Sequence, residues 1–201
     1  VGSGKTFVTV NLAACAADGK KKVLLIDMDL RKRTLSRIFG LQHKPTGLSN
    51  YLYDSGVELA DILHKDVIEG VDLIPAGMVP PNPVELLRRD RLDELVATLR
   101  GMYDFIVIDN VPIDVVADSA VVNRVVDTTL FVIRSGLLDR RMLDNLEKMY
   151  QEHRFNNLCV VLNGSEVRRR YGYGHYGYGY GYGYGYGYGY GYGYGYGEEK
   201  S

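Results

Sequence analysis

The sequence has no tryptophan and only two cysteines, Cys15 and Cys159, in 201 residues. Neither cysteine has a partner at a metal-ligand spacing, and two isolated thiols exclude a disulfide scaffold and fit a reducing compartment. No run of about 18 apolar residues occurs, so nothing in this stretch reads as a membrane span or a secretory leader. Neither sign of charge is in excess. With 24 Lys and Arg against 25 Asp and Glu, the net charge is −1, which argues against a generic nucleic-acid partner.

What is present divides at residue 168. Before it the composition is that of a globular domain long enough to bury a core, so residues 1–167 read as one domain. After it, Arg168-Arg169-Arg170 leads into a Tyr/Gly repeat from Tyr171 to Gly197, interrupted by His175. All but four of the 17 tyrosines lie in this segment. Alternating glycine raises the entropy cost of ordering and no aliphatic core is offered, so 168–201 is expected to be a disordered, low-complexity tail. The sequence opens at Val1 inside a motif and reads as a fragment, whose upstream part is expected to hold any membrane anchor.

Short apolar runs without alternation occur at Val23–Ile26, Val71–Pro75, Phe105–Ile108, Thr128–Ile133 and Leu158–Leu162. Such runs predict strands buried on both faces, as in a parallel sheet. Helical patterns lie between them at Lys5–Ala17, Asn82–Arg100, Ala117–Val126 and Leu138–His153, with Pro80–Pro83 as a rigid lead-in to the second. Strand–helix alternation predicts an α/β fold with a doubly wound, mostly parallel sheet.

Gly2-Ser3-Gly4-Lys5-Thr6 is the second half of a Walker A phosphate loop, G-x-x-x-x-G-K-[ST]. Small residues let backbone N–H groups approach phosphate oxygens, and the following helix presents its positive end to them. Lys5 is then the candidate contact to the β- and γ-phosphates of ATP, and Thr6 the candidate Mg²⁺ ligand. A plain glycine-rich turn is the bland alternative, and an amphipathic helix starting at the lysine disfavours it.

Two acidic sites follow. Val23–Ile26 delivers Asp27 and Asp29, which strand alternation would put on one face about 6–7 Å apart. Two carboxylates there need a cation or a hydrogen-bonded partner between them. Arg31, just beyond, could offset charge on the acids or the phosphates. The bland reading is a solvated strand end before a basic helix start, Arg31-Lys32-Arg33. Phe105–Ile108 delivers Asp109, followed by Pro112, in the Walker B form.

Together these blocks resemble the bacterial tyrosine kinases linked to capsule and exopolysaccharide production. That family carries a Walker A loop, a Walker A′ strand ending Asp-x-Asp-x-Arg, a Walker B strand ending Asp-x-x-Pro and a C-terminal tyrosine cluster. All four stand here in order, at Gly2–Thr6, Leu24–Arg31, Ile106–Pro112 and Tyr171–Tyr196. The resemblance implies an ATP-dependent protein-tyrosine kinase that autophosphorylates its tail, with Tyr171, Tyr173, Tyr176, Tyr178 and Tyr180 among the acceptors. It implies Lys5 and Thr6 on phosphate and Mg²⁺, Asp29 and Asp109 on the metal, and Asp27 beside the incoming phenol as base or orienting group. It places Asn163 at a base-contacting position of related ATPases. Homo-oligomers with transfer in trans, an upstream membrane activator, an opposing tyrosine phosphatase and a cytoplasmic location at the inner membrane face are also implied. The tail departs from the family, whose tyrosines are fewer and irregularly spaced.

Two other readings compete. A septum-site or plasmid-partition ATPase would share the fold but lacks a tyrosine tail. A non-catalytic interaction protein would use the tail for stacking and the nucleotide as a switch, although stacked tyrosines are individually weak.

Overall fold

A computed structural model describes residues 2–43, 46–111 and 121–165. The tail, Pro112 and the first four residues of the helix expected at Ala117–Val126 lie outside the described residues. Among the described residues no helix is long and apolar enough to cross a membrane.

The first helix, α1 (Lys5–Asp18), starts directly from the phosphate loop and leads to strand β1 (Val23–Asp27). Three short helices follow: α2 (Thr34–Ile38), α3 (Leu48–Tyr53) and α4 (Leu59–Ile62). Strands β2 (His64–Ile68) and β3 (Val71–Ile74) form a hairpin, and helices α5 (Pro83–Leu87) and α6 (Asp90–Arg100) lead to β4 (Phe105–Asp109). A 3₁₀ turn at Asn123–Val125, β5 (Thr129–Arg134), α7 (Arg141–Gln151) and β6 (Leu158–Asn163) complete the described chain.

The strand order is β2-β3-β1-β4, with β2 antiparallel and the other pairings parallel; β5 and β6 pair in parallel as a separate two-stranded sheet. The mixed sheet with helices agrees with the α/β expectation. The expected single helix over Asn82–Arg100 is two, broken where Arg89 is extended (φ −65°, ψ 142°). The Arg89 guanidinium donates to the carbonyls of Leu52 and Tyr53, which ties the break to α3. Pro83 sits at the start of α5, where its missing N–H costs nothing.

Strand β1 is buried throughout, and its alternate side chains serve opposite faces. Val23 and Leu25 pack with Ala13, Leu35, Val71 and Leu73; Leu24 and Ile26 pack with Ile74, Leu87, Leu95 and Leu99. That two-sided demand is why the run is continuously apolar rather than alternating. Each fully buried Leu or Ile contributes about 1.5–3 kcal/mol. The sheet centre is thereby fixed, and the acids at its C-terminal ends are fixed with it.

Candidate active site

The parallel register aligns Asp27 opposite Asp109 across β1 and β4, and the Met28 N–H donates to the Asp109 carbonyl at 2.9 Å just past the strand ends. In open α/β sheets ligands bind outside the carboxyl ends of the strands, and the phosphate loop lies at that end here. Thr6 Oγ1 donates to Asp109 Oδ2 at 2.7 Å, joining residues 103 apart in sequence. Gly2, Gly4, Lys5, Thr6, Phe7, Asp29, Lys32, Thr34, Asp109 and Asn110 line one cleft of about 230 Å³.

The loop conformation depends on glycine. Gly4 has φ +89°, a left-handed conformation that residues with a Cβ rarely adopt, and its carbonyl accepts the Val8 N–H at 2.9 Å as the first bond of α1. A Cβ at Gly4 would also collide with the Asn163 side-chain amide. Asn163, at the end of β6, donates from Nδ2 to the Ser3 carbonyl at 2.9 Å, and Arg134, at the end of β5, donates to the Gly2 carbonyl at 3.2 Å. Both side chains steady the loop from the two-stranded sheet, and for Asn163 this is the contact the structure provides.

The two Walker A′ acids are placed differently. Strand alternation ends at Asp27, so it does not position Asp29. A turn does so instead: Asp29 Oδ1 accepts the Lys32 N–H and its carbonyl accepts the Arg33 N–H. Asp29 therefore reaches the cleft from a loop. Asp27 is fully buried and does not line the cleft. Its Oδ2 accepts both the N–H and the hydroxyl of Ser36, each at 3.0 Å, while Oδ1 has no hydrogen-bond partner among the described residues. Burial pushes the Asp27 carboxyl up to about 6; the Ser36 bonds oppose the shift, and the charges of Asp109 and Asp29 add to it. Asp109 is raised as well, by burial first, with Thr6 and Lys5 pulling it back down.

Arg31 does not line this cleft but a neighbouring cavity. Sequence reasoning passed over Ser36, Thr34 and Asn110. Asn110 adjoins a singled-out acid, whereas Ser36 has no motif and is found only through its contact with Asp27.

The donor set is all oxygen, two carboxylates and a hydroxyl, which fits a hard divalent cation such as Mg²⁺ rather than a softer metal. Residues 1–153 match the family model described as an AAA domain. The kinase domain of Escherichia coli tyrosine kinase ETK superposes with a TM-score of 0.74 at 40% identity, over 88% of this chain and 68% of that one. A curated Klebsiella pneumoniae protein, described as a putative tyrosine-protein kinase in the cps region, is 39% identical over 172 residues, 85% of this chain.

The chain belongs to the bacterial tyrosine kinases.

Its fold is the P-loop nucleotide-binding fold of that family. This bacterial tyrosine kinase chain spans about a quarter of the Klebsiella relative's length (24%). The Pyrococcus furiosus cell-division ATPase MinD also superposes, with a TM-score of 0.61 over 81% of this chain and 67% of that one. At 24% identity that likeness shows the fold alone, and the sequence similarity sorts the chain with the kinases rather than the septum-site ATPases.

Proposed function

We propose that this domain transfers the γ-phosphoryl group of ATP to tyrosine hydroxyls, with Tyr171, Tyr173, Tyr176, Tyr178 and Tyr180 of a neighbouring copy among the acceptors. The observation that carries this reading is the 2.7 Å bond from Thr6 to Asp109, which joins the phosphate loop to the Walker B strand in one cleft with Lys5 and Asp29. Phosphoryl transfer asks a protein mainly for positioning and charge stabilisation, and this set supplies both.

The loop amides of Gly2 to Thr6 hold phosphate oxygens, and Lys5 offsets the charge that spreads over the transferred group. Thr6, Asp29 and Asp109 hold Mg²⁺, which when bound neutralises charge on the β- and γ-phosphates. The bond from the γ-phosphorus to its bridging oxygen breaks, and its electron pair leaves with ADP. The phenol oxygen bonds to phosphorus, and its proton passes to Asp27 by way of an intervening water, since Asp27 is buried behind the cleft lining and does not meet the phenol directly. A carboxylate raised to about 6 holds that proton better than an exposed one near 4, and its Oδ1 is the atom left without a partner. Asn163 is assigned to hold the loop on the nucleotide side.

The family's link to polysaccharide production supports a regulatory role in capsule or exopolysaccharide synthesis and export. The same reading gives a homo-oligomer phosphorylating in trans, an upstream membrane activator that keeps the domain at the inner membrane face, and an opposing tyrosine phosphatase. The test is to incubate the full cytoplasmic domain with labelled ATP and measure phosphotyrosine. Lys5→Met should lower it by roughly 10²–10³-fold, because a donor aimed at developing charge is lost. Undiminished phosphotyrosine in that variant refutes the role of Lys5.

A further inference from the structure

Consecutive basic residues, Arg31-Lys32-Arg33, follow the Walker A′ acids, and the fold sends each to a different place. Arg31 lines the neighbouring cavity. The Arg33 guanidinium donates from Nη1 to the Gly77 carbonyl at 3.2 Å. Lys32 alone of the run lines the nucleotide cleft, together with Lys5, Thr6, Asp29 and Asp109.

The turn that sorts them is closely specified. Asp29 holds it twice, with Oδ1 accepting the Lys32 N–H at 2.9 Å and its carbonyl accepting the Arg33 N–H at 2.8 Å. Arg33 closes the turn at φ +50° and ψ +47°, a left-handed conformation that a residue with a Cβ adopts at a cost. Such strain persists where the surroundings over-determine the backbone. Here the Asp29 bonds fix the chain on one side and the bond to Gly77 fixes the side chain on the other. Lys32 therefore leaves the main chain beside the Asp29 carboxylate. Its side chain is exposed, and its ammonium has no acceptor among the described residues.

We propose that Lys32 is a second catalytic cation: its ammonium contacts the γ-phosphoryl oxygens while the group passes from ADP to the phenol. The proposal rests on the kinase reading above, and the bonds made and broken are those given there. Lys32 thereby takes the role that sequence reasoning offered to Arg31. The charge balance of the cleft favours it. Asp29 and Asp109 outweigh Lys5 alone, and Lys32 brings the charges of the lining level. In transfer, charge spreads over the equatorial oxygens of the phosphoryl group, which leaves room for a further cation besides Lys5. A lysine suits a moving target, because its compact charge rides on a flexible stem. No ion pair has to break before it engages. A cation that follows the moving group acts on kcat, whereas one that met ATP and the transition state equally would act on KM.

The test measures binding and turnover in the full cytoplasmic domain. ADP, magnesium and aluminium fluoride together stand in for the phosphoryl group in transfer. Lys32→Met should bind that combination about 10–100-fold more weakly than the unmodified domain, and ADP with magnesium alone to within about twofold. Its kcat for phosphotyrosine formation on an added tyrosine peptide should fall by the same factor, with the KM for ATP and for the peptide unchanged. Lys32→Arg should recover most of both losses, and the exposed position predicts unchanged melting temperatures for both variants. Full aluminium fluoride affinity in Lys32→Met, or a raised peptide KM with undiminished kcat, overturns the contact. The fluoride measurement needs no tyrosine, so the two readings fail separately. If the unmodified domain makes no phosphotyrosine but Lys32→Met still loses fluoride affinity, the kinase reading falls and the contact stands. If the unmodified domain makes phosphotyrosine and Lys32→Met matches it in kcat, the contact alone is sunk.

Discussion

Replacing Asp27 with asparagine should make the domain more stable, and more so at high pH. The carboxyl is fully buried, with one oxygen on Ser36 and the other without a partner, and its pKa stands at about 6 against an ordinary 3.8. A tenfold change in proton affinity corresponds to about 1.4 kcal/mol, so ionising Asp27 inside the fold costs about 3 kcal/mol in total. Proton linkage sets the sign. The folded state binds this proton more tightly than the unfolded chain, so stability is highest below pH 3.8 and is lost as pH rises through 6. About half of the loss falls below pH 5, leaving about 1.4 kcal/mol between pH 5 and pH 8. Asparagine keeps an oxygen for both Ser36 donors and carries no charge. Urea unfolding followed by circular dichroism, without nucleotide or magnesium, should show Asp27→Asn gaining about 1.4 kcal/mol more at pH 8 than at pH 5. The comparison between two pH values cancels packing changes, because those do not titrate. An equal gain at both values, or no gain at pH 8, would refute the claim that Asp27 is held ionised at a cost. Under the proposed mechanism the same variant should lose phosphotransfer, so the group that weakens the fold would be the one proposed to serve the chemistry.

Thr6→Ala removes the bond to Asp109 together with a proposed metal ligand, so magnesium-dependent nucleotide affinity should fall about 10–100-fold by calorimetry, with Thr6→Ser recovering most of it. Gly77→Ala should cost more than about 2 kcal/mol by urea unfolding, since φ is +79° and a Cβ would lie 2.5 Å from Asn50 Oδ1 and 2.7 Å from Ser49 Oγ. Tyr103→Phe should cost about 1 kcal/mol at pH 7 by losing hydrogen bonds to Asp72 and Lys65. Burial pushes the Asp72 carboxyl up, but the bonds from Lys65 and then Tyr103 outweigh it and hold it below its usual range, so the cost should shrink as pH falls through that lowered value.

The parts of the fold legible in the sequence were those where one physical demand acts on a whole segment. Burial on both faces wrote β1 and β4 as unbroken apolar runs, and the acids closing them marked the site. β2 escaped notice because an antiparallel edge strand needs little burial, and His64-Lys65-Asp66 looks like a loop. α2, α3 and α4 span 5, 6 and 4 residues, too short for a 3.6-residue period to show. The break between α5 and α6 has no proline or glycine; it is set by Arg89 reaching the carbonyls that end α3, a long-range contact no local pattern encodes. Asp29 was found for a reason that does not hold in the structure, since a turn rather than strand alternation aims it. The separation of β5 and β6 from the other strands was likewise not visible in their apolar runs.

The pairing of Asp27 with Asp109 across neighbouring strands has an evolutionary consequence. The spacing of the two acids is written in main-chain hydrogen bonds, with strands about 4.8 Å apart, and not in the particular side chains that precede them. Valine, isoleucine and leucine can therefore exchange along β1 and β4 for generations, each swap retuning the packing by a kcal/mol or so, while the carboxylates stay in step.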